Sequence, residues 1–304
     1  MGKLIRCITS DGSIVALGLD STDIVAVAEK YHVTSAVATA ALGRLMSAAS
    51  MMGVMLKGEK DTITLRIGGG GPLGAAIAVG QSNGDVKGYV LNPVVELPLN
   101  IHGKLDVGGA VGTDGRLTVM RDYGFGEPYI GQVPIVSGEI AEDITSYYAA
   151  SEQIPTVCAL GVLVNPDLTV KAAGGLLIQL LPFADDRSID RLEKNIQNLD
   201  SITNMINSGM TPEQICRKAL DGFEVEILDT YEPQYRCDCS RERVEKALLT
   251  LSEDEMRSLP DEKGRVEVKC HFCNKVYRFN RDELETLIES RKQRTQQDGA
   301  GHSK

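Results

Sequence analysis

Four of the seven cysteines, Cys237, Cys239, Cys270 and Cys273, crowd together near the C-terminus, whereas Cys7, Cys158 and Cys216 are isolated. The pattern is Cys-x-Cys, thirty intervening residues, then Cys-x-x-Cys. Thiolates suit Zn²⁺, which takes four ligands at tetrahedral vertices. A Cys-x-x-Cys turn sets two sulfurs on one side of an ion, and a second pair closes the sphere. Four cysteines leave no position for water, so the site is of the structural and not the catalytic kind. His271 lies inside the second pair, but four thiolates already fill the sphere, so the expected ligands are the cysteines alone. The segment around them is too small for a large core, and metal binding supplies folding free energy directly. In a cytosolic protein such a cluster reads as metal-binding or redox-active and not as a permanent disulfide framework.

The Cys-x-Cys half departs from ordinary zinc ribbons, which space their pairs by two residues or more. Two cysteines at i and i+2 are close enough to be oxidised together, in a small and strained ring. Strained disulfides are labile and regulatory, and thiolates held on zinc react without first losing a proton. The arrangement therefore has two stable chemistries, reduced with metal or oxidised without it. Because the metal supplies folding energy, oxidation carries an unfolding consequence.

The elements that must hold this cluster follow from periodicity and caps. Ser240 is placed to cap a helix over about 241–251, and Ser252 with Glu255 forms a capping box. Residues 265–269 read as a strand leading into the second cysteine pair, and 275–279 as a strand leaving it. Asn280 caps a last helix with Leu284, Leu287 and Ile288 on one face. From residue 291 the polar, Gly-containing sequence predicts a disordered tail. Upstream, 184–233 is short and acidic. Within it Ile189, Leu192, Ile196, Leu199, Ile202 and Ile206 recur at spacings of three and four, the pattern of one amphipathic helix over 185–208. Thr211-Pro212-Glu213-Gln214 starts a further helix, and 223–227 alternates as a half-buried strand. Such a segment cannot build a core of its own, so its apolar stripe is expected to pack on the first domain.

That first domain, 1–183, reads as α+β with a largely antiparallel sheet, because strands and helices come in blocks. Runs 4–9 and 13–19 flank Asp11-Gly12, a hairpin-turn pair. Ser21 or Thr22 starts a helix to about His32, and a second helix spans about 35–56. Strands are expected at 62–67, 75–79 and 86–91, then a hairpin of 105–111 with 116–122 around Asp114-Gly115. A helix over 139–150 precedes strands 156–164 and 169–181. The expected organisation is thus a core domain at 1–183, a helical linker at 184–233, a cysteine domain at 234–290 and a tail at 291–304.

Charge narrows the partners. With 32 Lys+Arg against 42 Asp+Glu the net charge is −10, spread as −5 over 1–183, −6 over 184–233 and +1 over 234–304. No segment is basic enough for general nucleic-acid binding. Residues 34–56 are the most apolar long stretch but contain Arg44 and many small residues, so they read as a buried helix and not a membrane span. No secretory signal is visible. The chain is expected to be cytoplasmic, with neither membrane nor nucleic acid among its partners.

At this point the residues resemble a known family. Cys237-Asp238-Cys239-Ser240-Arg241-Glu242-Arg243, then Cys270-His271-Phe272-Cys273 and Tyr277-Arg278-Phe279, are similar to the redox switch of the heat-shock protein 33 family, bacterial redox-regulated chaperones. Gly43-Arg44-Leu45, Leu56-Lys57-Gly58, Gly70-Gly71-Pro72-Leu73-Gly74, Gly88-Tyr89-Val90, Ser151-Glu152-Gln153-Ile154-Pro155 and Ala173-Gly174-Gly175 resemble that family's recurring stretches in the same order. The likeness covers about residues 3–290. It implies an ATP-independent holdase in the stress response, inactive while reduced and zinc-bound. Peroxide with heat, or hypochlorite, would convert the ligands to disulfides, by position Cys237–Cys239 and Cys270–Cys273. Zinc would leave, the C-terminal domain and linker would lose structure, and the protein would dimerise and hold unfolding or oxidatively damaged clients. No enzymatic activity is implied.

Other readings are weaker. Gly69-x-Gly71-x-x-Gly74 formally fits a dinucleotide fingerprint, but Pro72 lies inside it and a turn at Ser82-Asn83-Gly84-Asp85 leaves no room for the required helix. His32, His102, His271 and His302 have no local nucleophile signature. Met46, Met51, Met52 and Met55 are expected as core filling, and Cys7, Cys158 and Cys216 as inert buried thiols. Two rival classes remain: a structural zinc-ribbon nucleic-acid-binding protein, disfavoured by charge, and a thiol oxidoreductase, which wants its Cys-x-x-Cys at the start of a helix.

Overall fold

The computed structural model describes residues 2–300, with side chains described as far as Arg291. The chain divides into two compact units, one ending at Arg236 and one beginning at Cys237. In the first, β1 (Lys3–Thr9) and β2 (Ile14–Asp20) form the expected antiparallel hairpin. The turn is held by Asp11, whose carboxylate accepts from Ser13 N, and by Gly12 at φ +71°. Helix α1 (Thr22–His32) starts differently from expectation. Ser21 turns inward to hydrogen-bond Ser47, and Asp20 accepts from Thr22 N at 3.0 Å. Next come α2 (Ala36–Gly53), β3 (Thr62–Gly68), β4 (Ala76–Gln81) and β5 (Val86–Val90).

The expected strand at 105–111 is a short helix, α3 (Val107–Val111). Asp106 accepts from Gly109 N, and Val107, Ala110 and Val111 all point inward at a helical spacing that the brief apolar run did not distinguish from a strand. Then follow β6 (Arg116–Asp122), the unexpected edge strand β7 (Tyr129–Pro134), and α4 (Ala141–Tyr147), which runs into one wide i→i+5 turn at Tyr148–Glu152. The long strands β8 (Thr156–Val164) and β9 (Val170–Leu180) lie where the sequence places them.

The single helix expected over 185–208 is broken into α5 (Asp186–Gln197) and α6 (Ile202–Asn207). The break falls at Asn198 to Ser201, residue types that compete for backbone hydrogen bonds. Ser201 begins α6 afresh by accepting from Asn204 N. Helix α7 (Pro212–Ala219) carries the expected Thr211–Gln214 capping box, and β10 (Val225–Tyr231) returns to pair with β1.

The strands form two five-stranded sheets, β10-β1-β2-β9-β8 and β5-β4-β3-β6-β7, and every paired strand in them is antiparallel. The α+β class with antiparallel sheets is the one the sequence indicated. Helix α2 lies between the sheets, packing on β3, β4 and β5 on one side and on β8 and β9 on the other. A helix buried on both sides must be thin, and α2 is accordingly rich in Ala, Gly and Ser, with Met46, Met51 and Met52 filling the core. The first sheet is covered on both faces. Leu4, Leu17, Leu19, Ala173 and Leu177 face the core that holds α2. Ile5, Ile14, Ala16, Leu176 and Ile178 alternate to the other face, where Leu192, Ile202, Met205, Ile206, Ile215 and Leu220 of α5–α7 cover them.

The second unit contains α8 (Arg241–Leu248), α9 (Glu253–Ser258), the hairpin β11 (Arg265–Lys269) and β12 (Val276–Asn280), and α10 (Arg281–Ala300). The tail expected from residue 291 is helical as far as Ala300, and residues 301–304 lie outside the described residues. The run Glu289 to Gln297 contains strong helix formers and no proline, so a helix begun by a packed face continues through it.

The closeness of α2 to the second sheet is testable. A Cβ at Gly80 would lie 2.0 Å from the carbonyl oxygen of Ala49. Gly80→Ala is therefore expected to lower stability by about 1–3 kcal/mol through overpacking, read as a fall in the denaturant midpoint.

Candidate metal centre

The sequence places the cysteine pairs in two kinds of local structure. Cys270 and Cys273 occupy the turn of the β11–β12 hairpin, closed by the Lys269–Val276 register pair. Within it Asn274 N donates to Cys270 O and Cys270 N donates to Lys275 O, both at 2.9 Å. Asn274 takes φ +59°, a left-handed conformation that asparagine tolerates better than most residues. The turn is not a helix start, which removes the structural setting that a thioredoxin-like disulfide exchanger requires. Cys237 and Cys239 precede α8, whose cap is Ser240, with Oγ accepting from Arg243 N. Arg241 holds α8 to the hairpin: its guanidinium stacks over the Phe279 ring at 4.3 Å, donates to Arg278 O, and pairs with Glu245 and Glu283.

All four sulfurs lie within 4.8 Å of one another, and among the described residues this is the group able to hold a metal ion. The nearest approaches are Cys239 to Cys273 at 3.4 Å and Cys237 to Cys270 at 3.6 Å. Sulfurs on a tetrahedral ion at a Zn–S distance of about 2.3 Å stand about 3.8 Å apart. The cage thus has the size, the donor type and the ligand number of a four-thiolate site. His271 is exposed and is not part of it.

Burial raises the Cys237 and Cys273 thiols above their ordinary pKa. Cys239 goes the other way. Burial opposes its ionisation, but the hydroxyl of Tyr277 donates to its sulfur at 3.0 Å, and together with Cys273 this holds it below the ordinary thiol value. Donating to that sulfur in turn holds Tyr277 above its usual range. Sequence reasoning did not assign this role to Tyr277. The strand alternation of β12 was the available signal, since it sends Tyr277 and Phe279 to the inner face that the cysteines share.

The core of this unit is small: Leu248, Val266, Tyr277, Phe279 and Leu284 are buried, with Cys239 and Cys270 packed against them. With a metal ion bound, Tyr277→Phe removes the hydrogen bond that the Cys239 sulfur accepts while the rest of the cage is intact. Loss of such an outer-shell partner typically costs about 10–100-fold in metal affinity, so the variant is expected to lose its ion to a chelator more readily than the wild type, measured by metal release under chelator competition.

The comparisons with known proteins agree with this geometry. A family model described as "Hsp33 protein" matches residues 2–280. A 33 kDa chaperonin of Agathobacter rectalis is 50% identical over 284 residues, covering 93% of this chain and 98% of that protein. One from Bacillus licheniformis is 48% identical over 287 residues, covering 94% and 99%. The crystal structure of the 33 kDa chaperonin of Thermotoga maritima superposes with a TM-score of 0.87 at 39% identity, covering 95% of this chain and 98% of that one. With a family model across nearly the whole chain and relatives this similar end to end, the chain belongs to the Hsp33 family of chaperones.

Proposed function

We propose that this chaperone is an ATP-independent holdase switched on by oxidation, with Cys237, Cys239, Cys270 and Cys273 as both its metal ligands and its redox sensor. The observation that carries the reading is the cage itself: four thiols within 4.8 Å, in a unit whose other buried side chains are few. A zinc ion bound there supplies folding free energy, about 10–16 kcal/mol in small zinc peptides. Each disulfide forms when two thiols give two electrons to one peroxide, which leaves as two waters. Sulfurs so paired no longer ligate, and the unit loses the interaction that compensates for its small core.

All the sulfurs lie close together, so geometry does not select the disulfide partners. The pairing Cys237–Cys239 and Cys270–Cys273 rests on the family likeness and on sequence proximity. Contacts of 3.6 and 3.4 Å join Cys237 to Cys270 and Cys239 to Cys273, but in a tetrahedral cage all six sulfur pairs are equivalent, so these contacts favour no pairing.

Client binding then draws on surface that is hidden in the reduced state. Leu192, Ile202, Met205 and Ile206 are buried on the first sheet. If α5–α7 detach, these side chains and the sheet face beneath them are exposed together, and large exposed apolar patches bind other apolar surfaces. The acidic residues of 184–233 keep such a complex soluble. The same exposed surface brings two activated copies into a homodimer.

The test follows zinc content, free thiols and the aggregation of an unfolding client in the same samples, before and after peroxide at raised temperature. The expected result is loss of ~one zinc per chain and of the four cluster thiols, with suppressed light scattering only after oxidation. Retained zinc with unchanged aggregation overturns the reading. Cys270→Ser is expected to weaken zinc binding and loosen the second unit without oxidant; full zinc content under chelator competition would remove Cys270 from the ligand set.

A further inference from the structure

The outer face of the first sheet holds a second pair of thiols. Cys7 on β1 and Cys216 on α7 are far apart in the sequence, yet both are fully buried in the layer between the sheet and α5–α7. Cys7 Sγ donates to Ala16 O at 3.5 Å, and the Cys216 thiol lies close enough to interact with it. That contact lowers the pKa of Cys7 against the effect of burial and drives that of Cys216 up. Cys158, by contrast, is pushed up to about 12 by burial alone.

The approach is possible because the neighbouring side chains are small. Ala16 is the cross-strand partner of Cys7, and Gly18 follows on the same face of β2. A Cβ at Gly18 would lie 2.7 Å from the carbonyl oxygen of Pro212 and 2.8 Å from Cys216 Sγ. Helix α7 therefore rests on the sheet backbone itself at this point. Both partners are well fixed: β1 lies between β10 and β2 inside the sheet, and the capping box of Thr211 and Gln214 holds the start of α7.

We propose that Cys7 and Cys216 form a second redox pair, whose disulfide ties α7 to β1 and keeps α5–α7 docked. The effect on activity rests on the release of these helices inferred above, and it opposes that release. The oxidant is a hydroperoxide. The Cys7 sulfur, giving up its proton, attacks a peroxide oxygen to form a sulfenic acid, and the departing hydroxide takes that proton to leave as water; the Cys216 thiol then attacks the sulfenic sulfur and its proton leaves with the hydroxyl as a second water, closing the S–S bond. Two electrons pass from the sulfurs to the peroxide. The two redox events compete. The cluster sulfurs are partly exposed and oxidise first, whereas the buried pair is reached only through local opening. Once α7 lifts away the pair is separated and its disulfide no longer forms.

The test uses the full-length reduced protein in excess zinc at room temperature, which keeps α5–α7 docked during graded exposure to hydrogen peroxide. Free thiols are then alkylated in denaturant and the chain is digested without reduction. The expected product joins the peptide of Cys7 to that of Cys216. Protease cleavage within 185–222 is expected to slow by at least about tenfold relative to identically treated Cys7→Ala protein, as a crosslink closing a long loop should produce. Dithiothreitol followed by fresh zinc should restore the original rate in the wild type, a comparison that holds even if the variant folds poorly. Recovery of Cys7 and Cys216 as alkylated thiols at every exposure overturns the proposal, as does a crosslink that leaves cleavage unchanged. The same digests report the cluster thiols separately, so a Cys7–Cys216 crosslink with an inert cluster would sink the switch reading and not this one.

Discussion

The first sheet carries apolar side chains on both faces, and the structure of the first unit depends on covering each of them. The inner face is closed by α2, the outer by α5–α7. The two covers differ in kind. Helix α2 is locked between two sheets and buried on almost every side. Helices α5–α7 are amphipathic, touch the sheet along one stripe and turn an acidic, amide-rich face outward. Burying one large apolar side chain contributes about 1.5–3 kcal/mol, while ordering each residue costs about 1–2 kcal/mol. A segment with one buried residue in every few holds its place by a narrow margin. The alternation of β1, β2 and β9 thus creates a surface that is stable when covered and adhesive when bare.

The second unit meets the opposite problem. Its hairpin and short helices enclose few apolar residues, and Cys239 and Cys270 are themselves packed against that core. Where hydrophobic burial is scarce, a bound ion can take over the organising role, and four sulfurs within 4.8 Å of one another are fit to hold one. Tyr277 donates to Cys239 from within the small core, which ties one sulfur of the cluster to the packing of β12.

Much of this was legible in the sequence. The cysteine spacing, the capping boxes at Thr211 and Ser252, the hairpin at Asp11-Gly12 and the apolar stripe of the linker all depend on neighbours within a few residues, and each lies where local rules place it. The misses share a cause. The run Val107–Val111 is too short for periodicity to separate helix from strand, and a single cap by Asp106 decided it. The helix expected over 185–208 is continuous by its spacing, but Asn198 to Ser201 recap the chain so that α6 lies against β8 and β9. Strand β7, ending at Pro134, has too little pattern of its own and exists because β6 offers it an edge.

The sequence by itself determined the two close-spaced cysteine pairs, the α+β class and the amphipathic nature of 184–233, because donor type, helix capping and hydrophobic period are properties of residue type and near spacing. Only the tertiary structure decided which surfaces meet. The order of strands in the two sheets, the enclosure of α2, the hydroxyl of Tyr277 on Cys239 and the seating of Cys216 on Gly18 join residues remote in the chain. Close approach at those points is set by small residues such as Gly18 and Gly80, whose significance appears only when the opposing backbone is in place.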